Sequence, residues 1–262
     1  MDLGLSGRTA LVTGSHRGTG REIAKGLARE GAEVVVHGFD EEPAAAAALA
    51  IREAGGDARH VVGELTDDEG ARAIREQTGA VDVLVANYGV AEAGNWQSPA
   101  ADWIDQYEKN VLSAVRMIQA FVPAMRERGF GRVVLLGTIG STRPAARMPH
   151  YYAAKSALPS VCLSLAKDLA GTGITVNLVS PGILATDEVR ASLTERARRK
   201  GKSTDWADVE HDAATSWMPN LVGRLGRTAE VADLVAFLAS DRAGFLTGTQ
   251  WRIDGGASDV AL

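Results

Sequence analysis

Cysteine, long apolar runs and an excess of basic charge are all missing from this chain, and each absence removes a class of protein. Its single cysteine, Cys162, has no partner for an intrachain disulfide and fits a reducing compartment. It lies in an apolar helical stretch, so a buried, inert thiol is expected rather than a nucleophile. No apolar run approaches the roughly 20 residues a bilayer-spanning helix needs. The start, M-D-L-G-L-S-G-R, has no basic region followed by an apolar core, so a cytoplasmic protein with no membrane partner is expected. The net charge of -5 and pI near 5.6 leave no broad basic surface for nucleic acid. One basic run, R-A-R-R-K-G-K over 196–202, reads as a solvated helix end. The histidines at 16, 37, 60, 150 and 211 fall in no zinc-ligand spacing, so no metal site is expected.

What is present is an ordinary soluble composition, 45% hydrophobic and 23% charged in 262 residues, enough to bury a sizeable core. Strand-length apolar runs alternate with helical patterns: T-A-L-V-T, then R-E-I-A-K-G-L-A-R-E, then A-E-V-V-V, then an Ala-rich helix from Pro43 to Ala54 closed by Gly55 and Gly56. A-R-H-V-V-G, V-D-V-L-V-A-N, G-R-V-V-L-L-G, I-T-V-N-L-V-S and T-Q-W-R-I-D continue the strands. A long helix is expected from Trp103 to Arg128, kinked at Pro123. This alternation predicts an α/β fold, a single-domain, Rossmann-type doubly wound parallel sheet of about seven strands with helices on both faces. No repeat or linker interrupts it, so one domain over 1–262 is the economical reading. Between Ile183 and Leu221 the periodicity weakens and the composition turns polar, with Trp206, Trp217 and Met218 scattered through it. An irregular insertion covering a site, over 183–221, is expected there.

Two stretches carry chemistry. After the first strand comes T-G-S-H-R-G-T-G, with Gly14, Gly18 and Gly20, then a helix. Glycines in that context let the backbone approach a pyrophosphate, and the helix N-terminus offers unpaired N–H groups. A plain strand-to-helix turn is the competing reading of such a loop taken alone. The second stretch is Y-Y-A-A-K, Tyr151 to Lys155. On a helix the two end residues share one face, and a nearby ammonium favours a phenolate over a phenol of pKa about 10. Alone, that spacing also describes a helix start with an exposed lysine.

The glycine spacing G-x-x-x-G-x-G together with Y-x-x-x-K resembles the short-chain dehydrogenase/reductase family, closest to its 3-oxoacyl-carrier-protein-reductase-like members. The resemblance spans essentially the whole chain. It includes Asn87 and Gly89 after the fourth strand, Asn110 in the long helix, Thr138 at 13 positions before Tyr151, P-G-x-x-x-T at Pro181, Gly182 and Thr186, and I-D-G-G at Ile253 to Gly256. It implies an NAD(P)(H)-dependent oxidoreductase moving a hydride between the nicotinamide and a small-molecule carbonyl or secondary alcohol. The catalytic set it implies is Tyr151 as general acid/base, Lys155 lowering the phenol's pKa and binding the nicotinamide ribose, Asn110 kinking its helix and holding a proton-relay water, and Thr138 orienting the carbonyl. Thr138 stands where most of the family has serine, and Ser141 could share its role. Tyr152 should face away from the site.

The implied cofactor-binding set is Gly14, His16, Arg17, Gly18, Thr19, Gly20, Phe39, Glu64, Leu65, Asn87, Gly89, Tyr151, Lys155, Pro181, Gly182, Ile183 and Thr186, with Thr186 bonding the carboxamide. NADP(H) is favoured over NAD(H): Arg17 is a basic residue common in NADP-using members and no acid stands at Gly38, although Asp40 pulls the other way. Tyr88 departs from the family's N-N-A-G, its direction open between nucleotide, substrate and solvent. A homo-oligomer, tetramer or dimer, is also implied. The same fold can host a non-catalytic dinucleotide binder or a lyase or epimerase without net redox; retention of both Tyr151 and Lys155 speaks against the first.

Overall fold

The computed structural model describes residues 2–258; the expected domain limits at Met1 and over 259–262 lie outside them. The strands are β1 (Thr9–Val12), β2 (Glu33–Gly38), β3 (Asp57–Val62), β4 (Val83–Ala86), β5 (Gly131–Leu136), β6 (Ile174–Pro181) and β7 (Thr249–Ile253). Every pair is parallel, in the order β3-β2-β1-β4-β5-β6-β7. Each expected strand is therefore recovered, in an all-parallel sheet. β5 and β6 are buried along their whole length, which is why they read as continuous apolar runs. The chain order reverses between β1 and β4, opening a crevice at the C-terminal strand ends, where ligands of such sheets bind.

Both sheet faces are covered. On one, Ala10, Val12, Val83 and Val85 pack against helices α1 (Gly18–Arg29), α2 (Glu41–Glu53) and α10 (Thr228–Ala239). On the other, Leu11, Leu84, Val133 and Leu135 meet α3 (Asp68–Thr78), α5 (Ser113–Arg128) and α7 (Leu158–Asp168). Cys162 sits in this second core, its thiol directed at the Val176 carbonyl at 3.6 Å, and burial pushes its pKa up to about 12. Among the described residues no helix is long and apolar enough to cross a membrane.

Three expectations need correction. The long helix starts earlier, as α4 (Ala100–Tyr107), and leaves α geometry at Glu108–Leu112, a π turn, rather than at Pro123, through which α5 continues. The cause is Asn110: its Nδ2 donates to the carbonyl of Gln106, one turn back, at 3.0 Å. An amide side chain occupying an acceptor of the i−4 ladder makes room for the wider turn. Second, the helix of Tyr151 to Lys155 and the apolar helical stretch holding Cys162 are not one helix but two, α6 (Pro149–Lys155) and α7, parted at Ser156 and Ala157; Pro159 has no N–H with which to carry the ladder across.

Third, the 183–221 segment is not irregular. It contains α8 (Asp187–Arg199), α9 (Trp206–Asp212) and a π turn at Ala213–Trp217, packed around a small core of its own with Leu193, Val209 and Ala214. Trp206 joins that core under the Arg190 guanidinium, 4.6 Å from its ring. Trp217 is half-exposed beneath Arg196. The basic run closes α8, as expected.

Candidate active site

The glycine loop bridges β1 and α1 at the crevice. Gly14 and Gly18 have φ of +61° and +56°, conformations that cost a side-chain-bearing residue about 1 kcal/mol or more. A Cβ on Gly20 would lie 2.5 Å from both Asn87 Nδ2 and the Gly14 carbonyl, so glycine is the residue that fits. Asn87 ties the loop down, donating from Nδ2 to the Thr13 carbonyl at 2.9 Å. Around Gly18 there is open space, and α1 begins there with neither a side-chain cap nor an acid in its first turn. Unpaired N–H groups and an unneutralised positive helix end facing open space fit a pyrophosphate.

Across the crevice α6 carries Tyr151 and Lys155. It is entered through Met148, the one non-glycine residue at positive φ (59°) among those described, held by its N–H donating to the Gly94 carbonyl at 3.0 Å. Lys155 is buried, and its Nζ donates to the Leu136 carbonyl at 2.9 Å. Desolvation lowers its pKa to about 8. Tyr151 is pushed up to about 12 by desolvation and by neighbouring Tyr152, with the Thr138 hydroxyl opposing by hydrogen bonding to the phenol. The expected lowering by the ammonium is not among the causes of this shift: burial, which penalises a phenolate, is the largest. Tyr152 does not simply face away either: its ring stands edge-on to Tyr151, centroids 5.3 Å apart, and lies on Gly140.

Thr138 caps a short 3₁₀ turn (Ile139–Ser141), its Oγ1 accepting from the Gly140 N–H at 3.1 Å. Ser141 Oγ is turned onto the Thr138 carbonyl at 2.7 Å, so of the two hydroxyls it is Thr138 that meets the tyrosine. Asn110 is buried beside Lys155: its Oδ1 accepts from the Val90 N–H and its Nδ2 donates to the Val90 carbonyl, both at 3.0 Å. Gly89 makes their meeting possible. A Cβ there would lie 2.6 Å from both Asn110 Oδ1 and Lys155 Nζ.

The remaining candidates are spread along the crevice. Leu65 is fully buried in the core, leaving only its backbone for a ligand, and Glu64 is exposed. Thr186 caps α8, accepting from the Val189 N–H at 3.3 Å. Pro181 ends β6, and Gly182 and Ile183 follow, with the Gly182 N–H donating to the Ile253 carbonyl. Tyr88 is now placed: it packs against Gly14, and its ring stands 4.9 Å from that of Phe39, which also meets His16 edge-on.

Sequence reasoning overlooked His37. It is buried at the end of β2; its Nδ1 accepts from the Gly14 N–H at 3.0 Å, and its other ring nitrogen donates to the Gly63 carbonyl. A histidine closing an apolar strand that is a register neighbour of β1 was the available signal. Burial lowers its pKa to about 4. An unfolded histidine takes its proton near 6.5, so between those values the unfolded state binds more protons. Stability is thus full above about pH 6.5 and lost as pH falls toward 4. Urea midpoints should show His37 contributing about 2 kcal/mol of destabilisation between pH 7 and pH 5. His37→Gln should flatten that slope; an unchanged slope would assign it to other groups.

The sequence model of the family described as enoyl-(acyl carrier protein) reductase matches residues 14–258. The chain is 34% identical over 257 residues to the 3-oxoacyl-(acyl-carrier-protein) reductase FabG of Haemophilus influenzae, covering 96% of this chain and 98% of that one. Among solved structures it resembles L-sorbose reductase from Gluconobacter frateurii complexed with NADPH and L-sorbose, at a TM-score of 0.93 and 30% identity over 100% of both chains. It also resembles a gluconate 5-dehydrogenase from Burkholderia cenocepacia in complex with NADP and tartrate, with TM-score 0.87 and 29% identity over 99% and 98% of the two chains.

Proposed function

Since the chain belongs to the short-chain dehydrogenase/reductase family, we propose that its crevice reduces a small-molecule carbonyl to a secondary alcohol, or runs the reverse, with NADP(H) preferred over NAD(H). The observation that carries this reading is the meeting of the Thr138 hydroxyl, the Tyr151 phenol and the buried Lys155 ammonium opposite an uncapped glycine loop. A nicotinamide held in this crevice would supply or accept the hydride at the carbonyl carbon.

The chain's own residues handle the proton. With its pKa pushed up to about 12, Tyr151 is a phenol at neutral pH and is held in the acid form, ready to pass its proton to the carbonyl oxygen as negative charge develops there. The Thr138 hydroxyl is placed to orient that oxygen and to stabilise the phenolate left behind. Lys155 spends one of its three N–H donors on Leu136, leaving two for the ribose hydroxyls and a proton relay through Asn110. The preference for NADP(H) rests on Arg17 and on the lack of a carboxylate at Gly38 and Phe39.

In this reading the helical segment over 183–221 is the lid, excluding water from the reacting atoms. A homo-oligomer, tetramer or dimer, accounts for the exposed Ile104 and Tyr107 of α4 and for Phe245. A cytoplasmic location suits the single buried thiol. The test mixes the protein with NADPH or NADH and a panel of ketones, sugars and acyl thioesters while following cofactor absorbance. Oxidation of the cofactor with at least one carbonyl supports the reading; product formed at constant absorbance would make it a non-redox enzyme, and no binding of either cofactor would remove it.

A further inference from the structure

The lid and the glycine loop are joined by one ion pair. Arg17 and Glu188, 171 residues apart, meet at 3.3 Å between guanidinium and carboxylate. Each end is fixed by its element. Arg17 immediately precedes α1. Glu188 lies in the first turn of α8, where the helix dipole favours a carboxylate, on a helix whose start is set by the Thr186 cap.

Arg17 stands beside the place where a dinucleotide's 2′-substituent is read. His16, its neighbour, abuts the last residue of β2: a Cβ on Gly38 would lie 3.3 Å from the His16 Cβ, and the His16 ring meets Phe39. At the end of that strand a carboxylate reads a 2′-hydroxyl and an arginine accommodates a 2′-phosphate. β2 ends in Gly38 and is followed by Phe39, neither an acid, and the carboxylate that meets the loop arginine here comes from the lid.

We propose that Glu188 is a specificity-determining residue that competes with the cofactor's 2′-phosphate for Arg17, and so sets how strongly this protein prefers NADP(H). The proposal rests on the crevice being a nicotinamide-dinucleotide site. The side chains of both partners are more than half exposed, 68% and 56%, so the pair is weak, worth at most about five-fold in an equilibrium constant. A phosphate offers a stronger, bidentate and doubly charged partner. Arg17 therefore transfers to the phosphate on binding, at a cost of the lost carboxylate contact. With NADH there is no phosphate to transfer to, and the pair stays as it is.

The test measures dissociation constants of NADPH and NADH by their own fluorescence, without substrate. Glu188→Gln should tighten NADPH about two- to five-fold and leave NADH unchanged, with the gain shrinking as salt is raised. Arg17→Met should weaken NADPH by more than that factor, and on its background Glu188→Gln should have no effect on NADPH, the pairwise coupling expected of a shared partner. Equal shifts for both cofactors, no shift, or looser NADPH in Glu188→Gln would overturn the proposal; the last would make the pair a clasp over the bound cofactor. Failure of the unaltered protein to bind either cofactor would instead count against the dinucleotide site itself.

Discussion

Replacing Tyr151 by phenylalanine is expected to cut turnover by about 100-fold or more, the usual contribution of a positioned acid, with the cofactor's dissociation constant changed by less than about two-fold. The substitution removes one oxygen and keeps the ring, so the contacts of Tyr151 with Tyr152 and with α6 survive. What disappears is the phenol hydroxyl that Thr138 influences and, on the proposed function, the proton for the carbonyl oxygen. Steady-state rates and a cofactor titration on the same preparation separate the two effects. Turnover within a few-fold of the unaltered enzyme would place the acid elsewhere, with the Thr138 hydroxyl the next group to replace.

The second large effect is expected from the smallest addition. Gly89→Ala puts a methyl group 2.6 Å from Asn110 Oδ1 and from Lys155 Nζ, and 3.2 Å from Lys155 Cε. A lysine tip usually gives way at little cost, but this one is buried and tied to the Leu136 carbonyl. Asn110 is held by Val90 and Gln106 on its other sides. One of these two side chains must therefore shift, and if they form the proposed site, misplacement by about 1 Å costs on the order of 100-fold in rate. Overpacking should also lower stability by about 1–3 kcal/mol. Thermal unfolding checks the second effect and kcat the first; a stable Gly89→Ala enzyme with full activity would mean that the ammonium's position tolerates movement.

The sheet was legible because its signal is redundant. Strands such as β5 and β6 are buried from end to end, and the alternation of apolar runs with helical stretches leaves a parallel sheet as the one arrangement covering both faces. The glycine loop inherited that legibility from its place after the first strand, whereas Asn87, Thr138 and Tyr151 were grouped with it only through the family resemblance. Features set by a single side chain against the backbone were not legible. The π turn at Glu108–Leu112 follows from one amide of Asn110 taking one carbonyl, and nothing in the helical periodicity records it. Pattern alone pointed to Pro123; the bend at Asn110 was expected only through the family resemblance.

The helices of the 183–221 segment were hidden for a different reason. Their apolar face covers only a small cluster, so α8 carries a charged surface around most of its circumference, and its pattern reads as polar. The direction of the Tyr151 shift was beyond reach too. A tyrosine four residues before a lysine gives the spacing of two charges, whereas the sign of the shift depends on how much water the surrounding chain removes. Tyr88 illustrates the same limit. Its neighbours Phe39 and Gly14 come from other strand ends, and only the assembled sheet says which way the ring turns.

The lone thiol has a further use that its chemistry decides. Cys162 is sealed between α7 and β6, bonded to Val176, with its pKa pushed up to about 12, so alkylating reagents find neither access nor thiolate while the seam is shut. Any label that does arrive therefore counts the occasions on which α7 parts from the sheet. With no second cysteine in the sequence to confuse the signal, the chain carries a built-in gauge of its own breathing at α7, the helix that follows the one bearing Tyr151.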